Sequence, residues 1–292
     1  MAPMTTDPTS AVACCAAFYE QDWVRTILGD SFHPGGAELS ARLVRGLQLP
    51  PKSRVVDVAC GIGTTARLMA DEFGLDVVGL DASAATVARA EDMFREDPAD
   101  TAAFVTGDAA AFVTGDAAAL PFPDDSFDAV VCECAVSTFA DQARVVAEFA
   151  RVLKPGGVVG ITDMVIEGEL PEDIVGVIAP WTCLAAARSV IGYQSIFLSA
   201  GLRVVEYADE SSSLRKLVAD LKRKLLVAGL GRSLGAVPGL DGLDLGGLRE
   251  LLNRAGELVR NGTIQYARLT FAKGRPRFTP PSACCDPSGG CC

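Results

Sequence analysis

Ten cysteines against one histidine, His33, set the terms of the chemistry this chain can do. A single imidazole nearly excludes a Ser-His-Asp triad or a His-rich zinc site, and thiolate chemistry is what remains. The cysteines are grouped: Cys14 and Cys15, then Cys60, Cys132 and Cys134, Cys183, and finally Cys284, Cys285, Cys291 and Cys292 in the closing CCDPSGGCC. The two terminal pairs could capture trivalent arsenic, bind zinc or copper(I) through four sulfurs, or form an inert end. Cys60 and Cys132 are expected to be small buried hydrophobes. The formal net charge of −11 argues against nucleic acid or an anionic membrane surface, because phosphate binding needs clustered Lys and Arg. The charge leaves a small-molecule partner, and soft thiolates add a metalloid substrate, with a thiol reductant, as a candidate. The N-terminal MAPMTTDPTSAVACCAAF lacks the basic region of a signal peptide, and no stretch of the roughly 18 apolar residues that a membrane span needs occurs. A cytoplasmic location is therefore expected, with thiols kept reduced rather than paired into a disulfide framework.

The elements that must position these groups alternate. SRVVDVACGIG (53–63) reads as a β-branched strand running into a Gly-containing turn, and TTARLMADEFG after it has apolar residues at helical spacing. LDVVGLD (75–81) is a second strand ending in an acid, and SAATVARAEDMFRE opens on the N-cap candidate Ser83. FDAVVCECAV (127–136) is a further buried strand, DQARVVAEFARVLKPGG a helix expected to end at Pro155-Gly156-Gly157, and VVGITDMV (158–165) another strand. The alternation predicts an α/β fold: a doubly wound, Rossmann-like, mostly parallel sheet with helices on both faces. GLRVVEYA (201–208) and TIQYARLTFAKG (263–274) predict two more strands, with helices over SSLRKLVADLKRKLLVAGL and GGLRELLNRAGELVRN. The Gly-rich segment between those helices reads as a mobile loop. Four regions result: an N-terminal helical segment closing the site (1–50), a cofactor-binding domain (51–165), a smaller covering module that completes the sheet (166–275), and a disordered Cys-rich tail (276–292).

In an open parallel sheet a cofactor lies beyond the carboxyl ends of the strands. Gly61 and Gly63 would let the backbone approach it, and Asp81 is placed to accept hydrogen bonds from ribose hydroxyls. A structural strand-to-helix turn and a nucleotide phosphate site are alternatives. The dinucleotide pattern GxGxxG fits poorly, since Ala66 stands at its third glycine.

These residues resemble the class I S-adenosylmethionine-dependent methyltransferases. VVDVACGIG is similar to the first motif of that family, GLDAS to the acidic end of its second strand, GDAAALPFPDDSFD to its adenine-contacting loop and following strand, and RVLKPGG to the helix end before its fifth strand. The resemblance implies that S-adenosylmethionine is the cofactor, with Asp57 and the backbone of Ala59, Gly61 and Gly63 at its methionine end. It implies Asp81, with Ala82 beside it, at the ribose, Asp116 and Ala117 at the adenine, and Glu133 among the cofactor contacts. Ala59 departs from the glycine that many members carry.

The segment FVTGDAAA occurs twice in succession, at 104–111 and 112–119. Asp116 stands four residues before Leu120-Pro121-Phe122, as the family pattern asks, and Asp108 does not, so the second copy is expected to be the working one. The shift is even, so sliding from one copy to the other would keep every side chain on its face.

Arsenite methyltransferases look similar on the acceptor side. They carry a cysteine comparable to Cys134 at the end of the fourth strand, a second comparable to Cys183 in Trp181-Thr182-Cys183 at the head of an expected helix, an N-terminal one comparable to Cys14 or Cys15, and terminal pairs like CCDPSGGCC. The resemblance implies three thiolates around one arsenic, whose lone pair needs positioning and desolvation but no general base. Two rivals stand beside this. One is methylation of an apolar metabolite at carbon, oxygen or nitrogen, with Glu133 or Asp163 as proton acceptor and Phe18, Tyr19, Trp23 and Trp181 lining the pocket. The other is a non-catalytic, thiol-rich metalloid-binding protein.

Overall fold

The computed structural model describes residues 33–95, 110–172, 174, 184, 186–233 and 244–276. Seven strands form one sheet: β1 (Arg54–Val58), β2 (Asp76–Asp81), β3 (Ala110–Thr114), β4 (Phe127–Glu133), β5 (Leu153–Ile166), β6 (Leu202–Asp209) and β7 (Ile264–Lys273), in the order β3-β2-β1-β4-β5-β7-β6. The first five run parallel, and β7 inserts antiparallel between β5 and β6. The central strands are buried almost throughout, which is why Val55, Val56, Val58, Ala129, Val130 and Val131 form near-continuous apolar runs rather than alternating ones.

Helices cover both faces. α1 (Gly36–Leu47) and α2 (Thr64–Phe73) lay Leu43, Val44, Leu47, Leu68 and Met69 on Val55, Val77, Val131 and Val158. α3 (Ala84–Arg95) follows β2. On the opposite face α4 (Gln142–Val152) and α5 (Val190–Ser199) bring Val146, Phe149, Tyr193 and Phe197 onto Phe127, Ile161 and Phe271, with the Phe197 and Phe271 rings stacked 3.9 Å apart. α6 (Ser211–Ser233) and α7 (Leu245–Arg260) contribute Leu214 and Val259 to a third cluster with Leu39, Met164, Leu184, Ile264 and Tyr266. This is the doubly wound, mostly parallel arrangement that the sequence predicts.

Three boundaries differ from expectation. α4 ends at Val152, not at Pro155-Gly156-Gly157, because Leu153 is already extended and pairs with Phe127. Pro155 forces its predecessor out of the helical region and offers no N–H to a ladder. The slack is taken up by a register jump in which β4 advances two residues (127 to 129) while β5 advances five (153 to 158). The helix expected from Cys183 onward begins at Val190, where the Ser189 hydroxyl caps the Gly192 N–H at 3.1 Å. α6 continues through Gly231 to Ser233, so the Gly-rich segment begins later than expected.

The second FVTGDAAA copy supplies the last three residues of β3, Phe112, Val113 and Thr114, which pair with Gly79, Leu80 and Asp81, while Ala110 and Ala111 from the end of the first copy open the strand. Residues 104–109 lie outside the described residues.

Candidate active site

The turn between β1 and α2 is bent by three left-handed residues, Ala59 (φ 58°), Gly61 (φ 57°) and Gly63 (φ 82°). The two glycines serve different ends. A Cβ on Gly63 would fall 2.8 Å from the Phe112 ring, so it is needed for packing, whereas one on Gly61 would meet nothing within 4 Å. The open side of the loop is therefore at Gly61, where a ligand can approach the backbone. Ala59 holds the same left-handed conformation with a side chain, at a cost of about 1–2 kcal/mol that glycine would avoid.

Acids stand at the strand ends around this loop. Asp81 closes β2, its Oδ2 accepting the Gly61 N–H at 3.0 Å and its Oδ1 the Ser83 N–H at 2.9 Å. Asp57 in β1 is 2% exposed, and its Oδ2 has no hydrogen-bond partner. Burial pushes the Asp57 carboxyl well up, and the negative charges of Glu133 and Asp81 add to this. Asp116, beyond β3, caps the short 3-10 turn Ala117–Ala119 through the Ala118 N–H at 2.8 Å and leaves Ala117 buried beneath it. Ala82 is exposed next to Asp81.

Glu133, the last residue of β4, gathers three hydroxyls from three elements. Its Oε1 accepts from Ser40 Oγ of α1 at 2.7 Å and from Thr65 Oγ1 of α2 at 2.9 Å, and its Oε2 from Thr162 Oγ1 of β5 at 3.1 Å. Tyr266 of β7 donates to Thr162 Oγ1 at 3.0 Å, and His33 Nε2 lies 3.9 Å from Oε1. Sequence reading named Glu133 but none of its donors. The available signal was polar Thr162 and Asp163 inside the otherwise apolar VVGITDMV.

Cys134 follows directly, half-buried and left-handed (φ 53°), with its N–H held by the Thr162 carbonyl at 2.6 Å. It packs against the third apolar cluster, which also contains Leu184, the neighbour of Cys183. Cys60 and Cys132 are buried, and burial pushes both thiols well up, so neither favours a thiolate. Asp163, the other acid offered as a proton acceptor, is held by the turn that follows Cys134. Its Oδ2 accepts the Ser137 N–H, its Oδ1 the Ser137 hydroxyl and the Met164 N–H, and it stays wholly buried as an anchor for the turn at Val136–Thr138.

Cys14, Cys15, Cys183, Cys284, Cys285, Cys291 and Cys292 lie outside the described residues, as do Phe18, Tyr19, Trp23 and Trp181. Among the described residues no group of three or more His, Cys, Asp or Glu is placed to hold a metal ion. No helix of the described residues is long and apolar enough to cross a membrane.

Residues 56–161, from β1 through the first half of β5, match the model of a family described as methyltransferase domain. Over these residues the chain is similar to a methyltransferase domain. It is 31% identical over 190 residues to methyltransferase GfsG of Streptomyces halstedii, a match covering 64% of this chain and 66% of that one. It is 29% identical over 168 residues to the arsenite methyltransferase of Halobacterium salinarum, covering 56% of this chain and 41% of the relative. The chain thus spans about two thirds of the first relative's length and under half of the second's. Phosphoethanolamine N-methyltransferase 2 of Haemonchus contortus, solved in complex with S-adenosyl-L-methionine, superposes with a TM-score of 0.72 at 20% identity over 89% of this chain and 60% of that one, a likeness of fold. The residues present fit the cofactor of this class: a buried carboxylate oxygen without a partner at Asp57, an open backbone at Gly61, and acids at the ends of β2 and β3.

Proposed function

We propose that this chain transfers a methyl group from S-adenosylmethionine to trivalent arsenic held by cysteine thiolates, with Cys134 as one of the ligands. The observation that carries the reading is the position of Cys134. It stands at the carboxyl end of the central strand β4, on the rim where a doubly wound sheet takes its ligands, fixed by a backbone bond to β5. Leu184, which follows Cys183 in the sequence, belongs to the apolar cluster against which Cys134 packs, and this supports the reading. The arsenite methyltransferase relative supports the choice of acceptor.

Asp57 and the open backbone at Gly61 would receive the methionine end, Asp81 the ribose hydroxyls through its remaining lone pairs, and Asp116 and Ala117 the adenine edge. Bound there, the cofactor supplies an electrophilic methyl on a sulfonium. The chain's own task is then to hold arsenic in line with that methyl and to exclude water, for which soft thiolates and an apolar wall suffice. Cys183 and one of Cys14 and Cys15 would complete the ligand set, and the four terminal cysteines would capture the metalloid from a thiol carrier. Function in a reducing, cytoplasmic setting follows from the need for free thiols.

A second reading rests on Glu133. A buried carboxylate 3.9 Å from the only imidazole could take a proton from an organic acceptor. The two are separated by incubating reduced protein with S-adenosylmethionine and glutathione, with and without arsenite, and counting S-adenosylhomocysteine. Product that needs arsenite, and is lost in Cys134→Ser, is expected. Turnover of an organic acceptor with arsenite inert would overturn the arsenic reading, and arsenic binding without turnover would leave a sequestering protein.

A further inference from the structure

We propose that Glu133 matches the positive charge that travels with the methyl group, steadying first the donor sulfonium and then the acceptor that becomes cationic. This rests on the methyltransferase reading above and adds an electrostatic role at the same site.

The geometry places the carboxylate between donor and acceptor. On one side it is tied at 2.9 Å to Thr65, two residues beyond Gly63 of the cofactor loop, and on the other it is joined through one peptide bond to Cys134. It is nearly sealed, its side chain 5% exposed, so its field is little screened. Its three hydrogen bonds come from Ser40, Thr65 and Thr162, all neutral hydroxyls that orient a carboxylate without cancelling its charge. The groups facing it are His33 at 3.9 Å, Tyr266 beyond Thr162, Cys134, and the acid Asp57 of β1, on which the Glu133 charge acts. Asp57 is the independent sign that something belongs here: a 2% exposed carboxylate with one oxygen left without any partner, beside a second buried acid. Two buried acids that repel each other are stabilised by a cation between or beside them, and a sulfonium with its neighbouring ammonium is such a ligand.

The transfer itself balances without a proton. The arsenic lone pair becomes the new As–C bond, the C–S bond pair passes to sulfur, and the positive charge leaves sulfur and arrives on arsenic. A fixed anion serves both ends of that path, and its stabilisation at the acceptor is of the preorganised kind that lowers barriers.

The test compares S-adenosylmethionine with S-adenosylhomocysteine, which lacks the sulfonium charge, by titration calorimetry on the full chain. The wild-type protein is expected to bind the charged cofactor roughly tenfold or more tightly than the neutral one, and Glu133→Gln to lose most of that preference while its affinity for the neutral one moves less than about threefold. Turnover of the variant should fall through kcat rather than through KM for arsenite. Equal weakening of both cofactors would show that Glu133 only shapes the pocket and would overturn the proposal. Equal affinities in the wild-type chain would overturn it without any variant. Binding of neither compound would instead sink the methyltransferase reading.

Discussion

Asp163 shows how a single residue can serve the site without entering it. Its carboxyl is buried, and burial pushes it up to about 6 against an ordinary 3.8, even though hydrogen bonds from Ser137, Met164 and Val136 favour the charged form. The folded state therefore holds this proton more tightly than the unfolded chain does. Stability from Asp163 is full below the ordinary value and is lost as pH rises through about 6, by about 3 kcal/mol. Urea unfolding between about pH 4 and 7 should show Asp163→Asn flattening this part of the slope, whatever the variant's absolute stability. An unchanged slope would mean that the proton is held elsewhere. At this scale Asp57, Gly61, Gly63 and Asp81 could be picked out as candidates because they lie close in sequence and carry a spacing, and the structure gathers them around one loop. The partners of Glu133 were not legible, since Ser40 is 93 residues away, Thr65 68, and Tyr266 reaches Thr162 across 104. No local pattern encodes such a meeting.

Among the elements, β3 and its contacts with β2 decide how the cofactor loop is supported. A Cβ on Gly79 would lie 2.6 Å from the Phe112 ring, which also fills the space at Gly63 and meets Phe94 edge-on at 4.9 Å. Gly79→Ala is expected to cost about 1–3 kcal/mol by overpacking, and Phe112→Leu in the same chain to return part of it, a coupling that a double-mutant cycle of unfolding energies would read. Additive effects would contradict the packing. The duplicated octapeptide makes a sharper prediction. Ala102-Ala103-Phe104 repeats Ala110-Ala111-Phe112, so deleting residues 104–111 rebuilds the same Ala-Ala-Phe strand entry. Beyond Thr114 the second copy is fixed by Arg144 to the Ala118 carbonyl at 2.8 Å, and Leu120 just after it by its N–H to Glu148 at 2.8 Å and by Arg151 to its carbonyl at 3.0 Å. The deletion should leave the Tm within a few degrees and cofactor affinity unchanged. A lost Tm or lost binding would give the first copy a structural role. Most strands and helices were legible from period alone. The α4 to β5 junction was not, because Pro155-Gly156-Gly157 reads as a helix stop while the register jump that absorbs it depends on pairing with Phe127.

For the whole molecule, the sheet order puts β1, β2, β4 and β5 side by side, so that Asp57, Asp81, Glu133 and Cys134 meet at one rim although 77 residues separate the first from the last (134 − 57). That convergence follows from the doubly wound fold, which is why these strand-end acids could be named as candidates from the sequence. The acceptor half draws on segments far apart in the chain, and a thiol's spacing says nothing about its neighbours in space. Truncation after Pro281 is expected to leave the Tm unchanged while raising the arsenite concentration needed for half-maximal turnover. An unchanged concentration dependence would remove the capture role of Cys284, Cys285, Cys291 and Cys292. The most direct test of the central claim is the formation of S-adenosylhomocysteine by reduced wild-type and Cys134→Ser protein, with and without arsenite. A methyltransferase that holds arsenic on Cys134 gives product only with arsenite and only in the wild type, and equal product in the variant would contradict it.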